Sequence, residues 1–566
     1  MTVILRLLAV DFPPPTYMRS LIMYQPQLVS CLLALVFTMP CVAGDLEMTL
    51  RYQQETSPDS GRYHRLTRQE SWKPSETAII VCDVWDLHHC QNAVLRVQEF
   101  APRLDHVLSK AREQGVTIIH APSGCMEHYA QHPARRRAQL IAPAPTLPEE
   151  ITKWCYQIPS EEKGVYPVDQ SDGGEDDEPE QHVNWAEELM NRGLNPKAPW
   201  SKQTDLLTID AEKDYISDKG DEVWNILSAK GIDNVILTGV HTNMCVLGRP
   251  FGLRQLAKNG KNVVLMRDMT DTMYNPEAWP FVSHFTGTDL IISHIEKFVA
   301  PTVTSDQLIG GKPFVFKGDV RPHVVIAMAE AEYETNRTLP EFANAYLGKD
   351  FRVSYCFAND TNRDNIPGFD TALEDADVLV LSVRRRALPL KQMEALRKYI
   401  VAGKPVIGIR TACHAFSLHG KEPPEGTETW EAFDPEVFGG NYHGHYPSKI
   451  ASHIDVVTDS SSHPILQGIS RDRYTQYGSL YKTSPIANSA SLLLTGAVEG
   501  QPQEPVAWTF DRADRGKSFF TSLGHKTDFD KPMFQRLLLN GIYWAAGEPI
   551  PQEFDLEKPV EPRKKW

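Results

Sequence analysis

Long apolar runs are missing from the interior of this 566-residue chain. Beyond the N-terminal segment nothing approaches the roughly 18 residues of a membrane-spanning helix. Cysteine is scarce as well. Nine are present, and two of them, Cys31 and Cys41, fall in the N-terminal segment. Those left (Cys82, Cys90, Cys125, Cys155, Cys245, Cys356 and Cys413) are scattered and odd in number, which excludes a disulfide framework and reads as buried thiols. Positive charge is also short. With 58 Lys and Arg against 73 Asp and Glu, the net charge of −15 excludes a surface built for nucleic acid. No internal repeat relates one half of the chain to the other.

At 41% hydrophobic and 23% charged residues, what is there has the balance of a soluble globular protein. The length exceeds what one core supports, so at least two domains are expected. The N-terminal stretch MRSLIMYQPQLVSCLLALVFTMPCVAG has a weakly charged start, a short apolar core and small residues at Val42, Ala43 and Gly44. It reads as a secretory signal over residues 1–44, with Met18 or Met23 as alternative starts, and so predicts export to the periplasm or the exterior. With the signal removed no membrane span remains.

Apolar strand runs then alternate with helical runs. ETAIIVCDVW, VTIIHAPS, NVILTGV and KNVVLMRDMTD read as strands. AVLRVQEFAPRLDHVLSKAREQG and DEVWNILSAKG read as helices. This rhythm predicts an α/β domain at residues 76–305, after an N-terminal extension at 45–75. It is interrupted by an acidic, turn-rich insert at 145–200. The insert carries Asp169, Asp172, Asp176 and Asp177 but lacks the spacing and closing Glu of a calcium loop. A linker at 306–321 leads to a second α/β domain at 322–548 and a tail at 549–566. The predicted fold is thus two doubly wound α/β domains, each a mainly parallel sheet with helices on both faces.

Ligand sites in such sheets gather at the carboxyl ends of the strands. Asp83 ends the first strand, and Cys245 follows a later one in GVHTNMCVLGRPFG. A carboxylate beside a thiol makes a base and nucleophile pair, which a nearby cation would complete. Arg249 and Arg254 follow the Cys closely, and a role beside the thiol or substrate competes with pairing to the acidic insert. Cys125, His128 and His132 have helical spacing that suits a metal weakly, as do His88, His89 and Cys90 in DLHHC.

GVHTNMCV resembles the nucleophile segment of the isochorismatase-like cysteine hydrolases, which runs Gly, two apolar or small residues, Thr, two variable residues, Cys, Val. Asp83 matches the strand-end Asp of that family, and the resemblance spans residues 76 to 300. It implies a hydrolase of C–N bonds in small amides. Asp83 would take the proton of Cys245, and the backbone N–H groups of His241 and Cys245 would hold the oxyanion beyond a cis peptide at Val240–His241. A lysine completes the family's set. Lys202 is favoured because WSKQ closes the insert, and Lys213 is the alternative. Asp83-Val84-Trp85 stands where many members have Asp-x-Gln, so Trp85 and Arg249 are expected to meet the substrate. The Asp-x-His of metal-dependent nicotinamidases is absent, and no metal or cofactor is implied. Vinyl-ether hydrolysis is a further reading, but the intact Cys suits amide chemistry better.

In the second half, PVIGIRTACHAF, GGNYHGHYP and SLGHKTDFDKPMFQRLLLNGIYWAAG resemble the ThuA-like trehalose-utilisation domains, related in fold to class I glutamine amidotransferases. Amidotransferases place a Cys where this chain has Arg410. Cys413 lies about one helical turn further on, so glutaminase chemistry is not implied. The resemblance points to a carbohydrate at a cleft lined by His414, His445 and His525, with His443 nearby. A catalytically silent carbohydrate-binding or scaffold protein is the alternative reading, and the sequence leaves a homo-oligomer open.

Overall fold

The computed structural model describes residues 44–448, 450–554 and 556. The segment read as an export signal lies outside them except for Gly44. Among the described residues no helix is long and apolar enough to cross a membrane.

The strand runs of the first half assemble into one eight-stranded sheet. Its strands are β1 (Leu46–Glu55), β2 (Tyr63–Trp72), β3 (Thr77–Cys82), β4 (Thr117–Ala121), β5 (Tyr215–Ile216), β6 (Asn234–Val240), β7 (Asn262–Asp271) and β8 (Thr302–Val303). They lie in the order β2-β1-β8-β7-β6-β3-β4-β5. All pairs from β8 to β5 are parallel, while β1 runs antiparallel to both β2 and β8.

Alternation along β3 explains why both faces are covered. Ala78, Ile80 and Cys82 join one core, with the helices Gly220–Lys230, Leu253–Lys258 and His284–Phe298. Ile79 and Val81 join the other, against Phe100, Leu104 and Leu108 of the helix Gln91–Gln114. Each fully buried Val, Leu, Ile or Phe among them contributes about 1.5–3 kcal/mol. The long helix ends at Gly115, whose φ of 97° is the left-handed conformation that closes a helix.

The second half forms a nine-stranded sheet. Strands Arg352–Phe357, His323–Ala329, Val378–Val383, Val406–Ile409 and Lys517–Thr521 are parallel. Four further strands, Glu504–Asp511, Ala490–Ala497, Ser452–Val456 and Tyr474–Gln476, extend the sheet antiparallel. The fold is therefore α/β in both halves, with a second sheet more mixed than the sequence suggests.

Three segments do more than the sequence reading gave them. Residues 45–75, read as an extension, are the β1–β2 hairpin at the edge of the first sheet. The insert carries its own helix, Pro179–Asn191. The linker is seated, because Phe314 and Phe316 pack on the core beneath the long helix. β2 faces the second sheet: Arg65 Nη1 donates to Ser354 Oγ at 2.8 Å, and a Cβ on Gly368 would lie 2.2 Å from the Arg65 carbonyl oxygen.

Candidate active site

The carboxyl ends of β3 and β6 lie side by side, and this brings Asp83 and Cys245 together. Gly239 makes the approach possible. Its φ is 106°, and a Cβ there would sit 2.0 Å from the Cys82 carbonyl oxygen. The Val240–His241 peptide is cis, as the family resemblance implies. The chain then turns at once, with Met244 N–H donating to the His241 carbonyl at 3.0 Å. The two N–H groups assigned to the oxyanion, those of His241 and Cys245, belong to this turn.

Asp83 is fully buried and leaves its strand with φ 50°. One carboxylate oxygen accepts from Ser123 N–H at 2.7 Å, and the other from Arg249 Nε at 3.1 Å. The Cys245 thiol lies beside the same carboxylate, near enough for the Asp83 charge to act on it. Burial lifts the Asp83 carboxyl above its ordinary value, against the pull of the Arg249 guanidinium. Burial and then the Asp83 charge push the Cys245 thiol well up. The resting pair is therefore a thiol beside a carboxylate, with a guanidinium on the carboxylate's other side.

The GRPFG segment supplies that cation and also seats the insert. Arg249 N–H donates to the Cys245 carbonyl at 3.0 Å, so the two residues share one helical turn. The guanidinium lies 5.4 Å from the ring centre of Trp154, a residue of the insert. Trp154 packs flat on Gly248, where a Cβ would come within 2.4 Å of the ring. Arg254 goes wholly to the insert. It holds Glu161 through two bonds of 2.8 and 2.9 Å, and His294 Nε2 adds a third at 2.9 Å. Burial alone would raise Glu161, but these partners outweigh it and hold the carboxyl at about 2.

Lys202, expected to complete the set, does not reach the pair. Its backbone runs beside Asp86, and its ammonium pairs with the exposed Asp205 at 2.6 Å. Lys213 is exposed too, 3.9 Å from Asp210. The cation at the site is Arg249, which the sequence reading had placed with the substrate. Lys202→Ala is expected to change the rate at which iodoacetamide alkylates Cys245 by less than about twofold, since exposed pairs contribute little. A loss of orders of magnitude would return Lys202 to the chemistry.

Trp85 forms a wall rather than a reaching arm. It is 8% exposed, donates from Nε1 to the Ser123 carbonyl and stacks on Trp200 with ring centres 4.6 Å apart. His88 extends the stack and meets His241 edge-on at 4.8 Å. His241 is buried with Nε2 unpartnered, and burial pushes it down to about 4, so it is neutral. Behind it lies a network the sequence reading missed. Arg96 bridges Asp271 and Asp176, and His284 Nε2 meets Asp271 at 2.8 Å. The strand-end position of Asp271 was the one available signal.

The weak metal sets find other work. His132 caps the helix Pro133–Leu140, and Cys90 caps the helix Gln91–Gln114. Among the described residues, the groups close enough to share an ion are Cys90–Asp176–Asp177 and Glu175–Asp177–His182. Their carboxylates already have partners: Asp177 accepts from the N–H groups of Gln91 and Asn92, and Asp176 clamps Arg96.

In the second half, Arg410 follows strand Val406–Ile409 at φ 47°, fully buried. Its guanidinium lies between Tyr333 and Tyr481, 4.2 and 4.6 Å from their ring centres. Two of the histidines named from the sequence, His414 and His525, lie near it, and His445 sits beside Tyr442. His414 packs on Tyr442, whose hydroxyl meets His445 Nδ1 at 2.8 Å, and His525 lies against Tyr333. Cys413 is buried and donates to the Arg410 carbonyl.

The trehalose utilisation (ThuA) family model matches residues 323–545, so a ThuA domain occupies the second half. No curated protein matches the sequence. Among solved structures, the chain is similar to a protein from Bacteroides uniformis described as ThuA-like, at 14% identity over 42% of this chain and 95% of that one, TM-score 0.31. It is similar to a cysteine hydrolase from Pseudomonas syringae pv. phaseolicola, at 16% identity over 42% and 93%, TM-score 0.25. An isochorismatase family protein from Desulfovibrio vulgaris gives 13% identity over 41% and 96%, TM-score 0.23. At these TM-scores the likenesses carry no argument about activity.

Proposed function

We propose that the protein is an exported cysteine hydrolase that opens a C–N bond in a small amide or carbamoyl compound. The observation that carries this reading is the Cys245 thiol beside the buried Asp83 carboxylate, which Ser123 N–H and Arg249 hold in place. Asp83 takes the thiol proton as sulfur attacks the carbonyl carbon. Negative charge develops on the carbonyl oxygen, and the N–H groups of His241 and Cys245 are assigned to receive it. Asp83 returns the proton to the departing nitrogen, leaving a thioester. Water then attacks the thioester with Asp83 again as base, which releases the acid and restores the thiol. Arg249 opposes the lift that burial gives Asp83. Export rests on the N-terminal sequence. The aromatic and histidine side chains around Arg410 would suit a carbohydrate ring and make that half an accessory domain.

The test is a panel of nicotinamide, carbamoyl amino acids and ureido acids, with released ammonia as the readout and Cys245→Ala as the control. Turnover confined to the wild type is the expected result. Equal, slow alkylation of all thiols by iodoacetamide, with no ammonia from any amide, would overturn the reading in favour of a silent scaffold.

A further inference from the structure

A second site, whose lining includes neither Asp83 nor Cys245, is a cavity of about 640 Å³ between the edge of the first sheet and the second half. Its size falls within the range of small-molecule sites. In a chain of net charge −15, its lining is strongly positive: Arg62, Arg65, Lys297, Arg321, Arg337 and Arg352 face it, against Asp289 as the one carboxylate of the lining.

Four of these cations are already neutralised. Arg62 pairs with Asp360, Arg321 with Asp319 and Asp289, Arg337 with Glu334 and Glu341, and Arg352 with Asp375. Arg65 and Lys297 are different, because neither has a carboxylate within ion-pair distance among the described residues. Arg65 donates to the Ser354 hydroxyl, and the Lys297 ammonium rests 4.8 Å from the ring centre of Tyr63. Burial and then the nearby Arg65 push Lys297 down to about 8. Buried Glu296 acts on both, but it is paired with Arg51 and shared with Arg267, so the group keeps an excess of positive charge that an anion would offset. Around them the wall is polar and aromatic, with Gln53, Ser293 and Asn344 offering amide and hydroxyl groups beside Tyr63 and Tyr355.

We infer that this cavity binds a small organic anion, its carboxylate or phosphate seated between Arg65 and Lys297 and its uncharged polar body against the amide and hydroxyl groups. The site is independent of Asp83 and Cys245, and stands or falls apart from the hydrolase reading.

Titration calorimetry on the full chain tests it, with inorganic phosphate, D-glucose 6-phosphate, D-glucuronate and neutral D-glucose as probes. At least one anionic probe is expected to bind saturably at millimolar concentration or below, and D-glucose not at all. Binding of glucuronate alone identifies a carboxylate ligand, and binding of the phosphate probes alone a phosphate ligand. Lys297→Met is expected to weaken the bound anion at least about tenfold, as loss of a charge-assisted partner does. The same change should raise the melting temperature of the free protein, because it removes one charge from a group crowded with cations. Arg65→Gln should weaken binding as well, but its bond to Ser354 joins the two halves, so Lys297→Met is the decisive variant. No saturable binding of any anionic probe, or equal binding by wild type and Lys297→Met, would overturn the inference.

Discussion

In the Asp83→Asn protein, alkylation of Cys245 and turnover of any amide substrate are expected to fall by about a thousandfold, within the usual range for loss of a positioned base. The size follows from the state of the thiol. Burial and the Asp83 charge push Cys245 well up, so little thiolate exists in advance and the proton must leave as sulfur attacks. Asp83 is the group placed to take it. Asparagine keeps the shape and an acceptor for Ser123 N–H but cannot accept a proton.

The pH profile separates this from a structural effect. Burial lifts Asp83, and Arg249 opposes the lift, so activity rises with pH as Asp83 ionises. Arg249→Met removes the opposing cation, lifts Asp83 further and moves the acid limb to higher pH. Arg249→Lys restores part of the shift. Rates and pH limbs that match the wild type in both Asp83 and Arg249 variants would remove this pair from the chemistry.

Asp83 and Cys245 were legible because each ends an apolar strand, and strand order alone brings such residues to one edge of a parallel sheet. The cation was harder to read. Lys202 sits next to the right backbone, yet the direction of a long side chain is set by its partner, here the exposed Asp205. Arg249 carried a local signal, because it lies four residues beyond Cys245 and an i,i+4 pair shares a helix face. The insert could not be placed from sequence, since its docking depends on tertiary partners: Trp154 on Gly248, Glu161 on Arg254 and Asp176 on Arg96. The hairpin at 46–72 was missed for a related reason. Its half-buried strands alternate weakly, and its pairing with β8 is long-range.

Asp434→Asn is expected to stabilise the protein at neutral pH by about 2–4 kcal/mol and to have no effect near pH 4, on the linkage of about 1.4 kcal/mol per pKa unit. Asp434 lies in the turn Asp434–Phe438, 3% exposed, with Oδ1 unpartnered. Burial raises its carboxyl to about 8. A carboxyl raised on folding contributes fully below its unfolded value of 3.8, and that contribution is lost as pH climbs toward 8. At neutral pH the folded chain must therefore either hold a proton there or bury a charge. Asparagine has neither cost. Melting temperatures of the two proteins should coincide near pH 4 and separate steadily up to pH 8. A gap independent of pH would show that Asp434 does not titrate, and lower stability of Asp434→Asn at neutral pH would show that its ionised form is the one the ThuA domain requires.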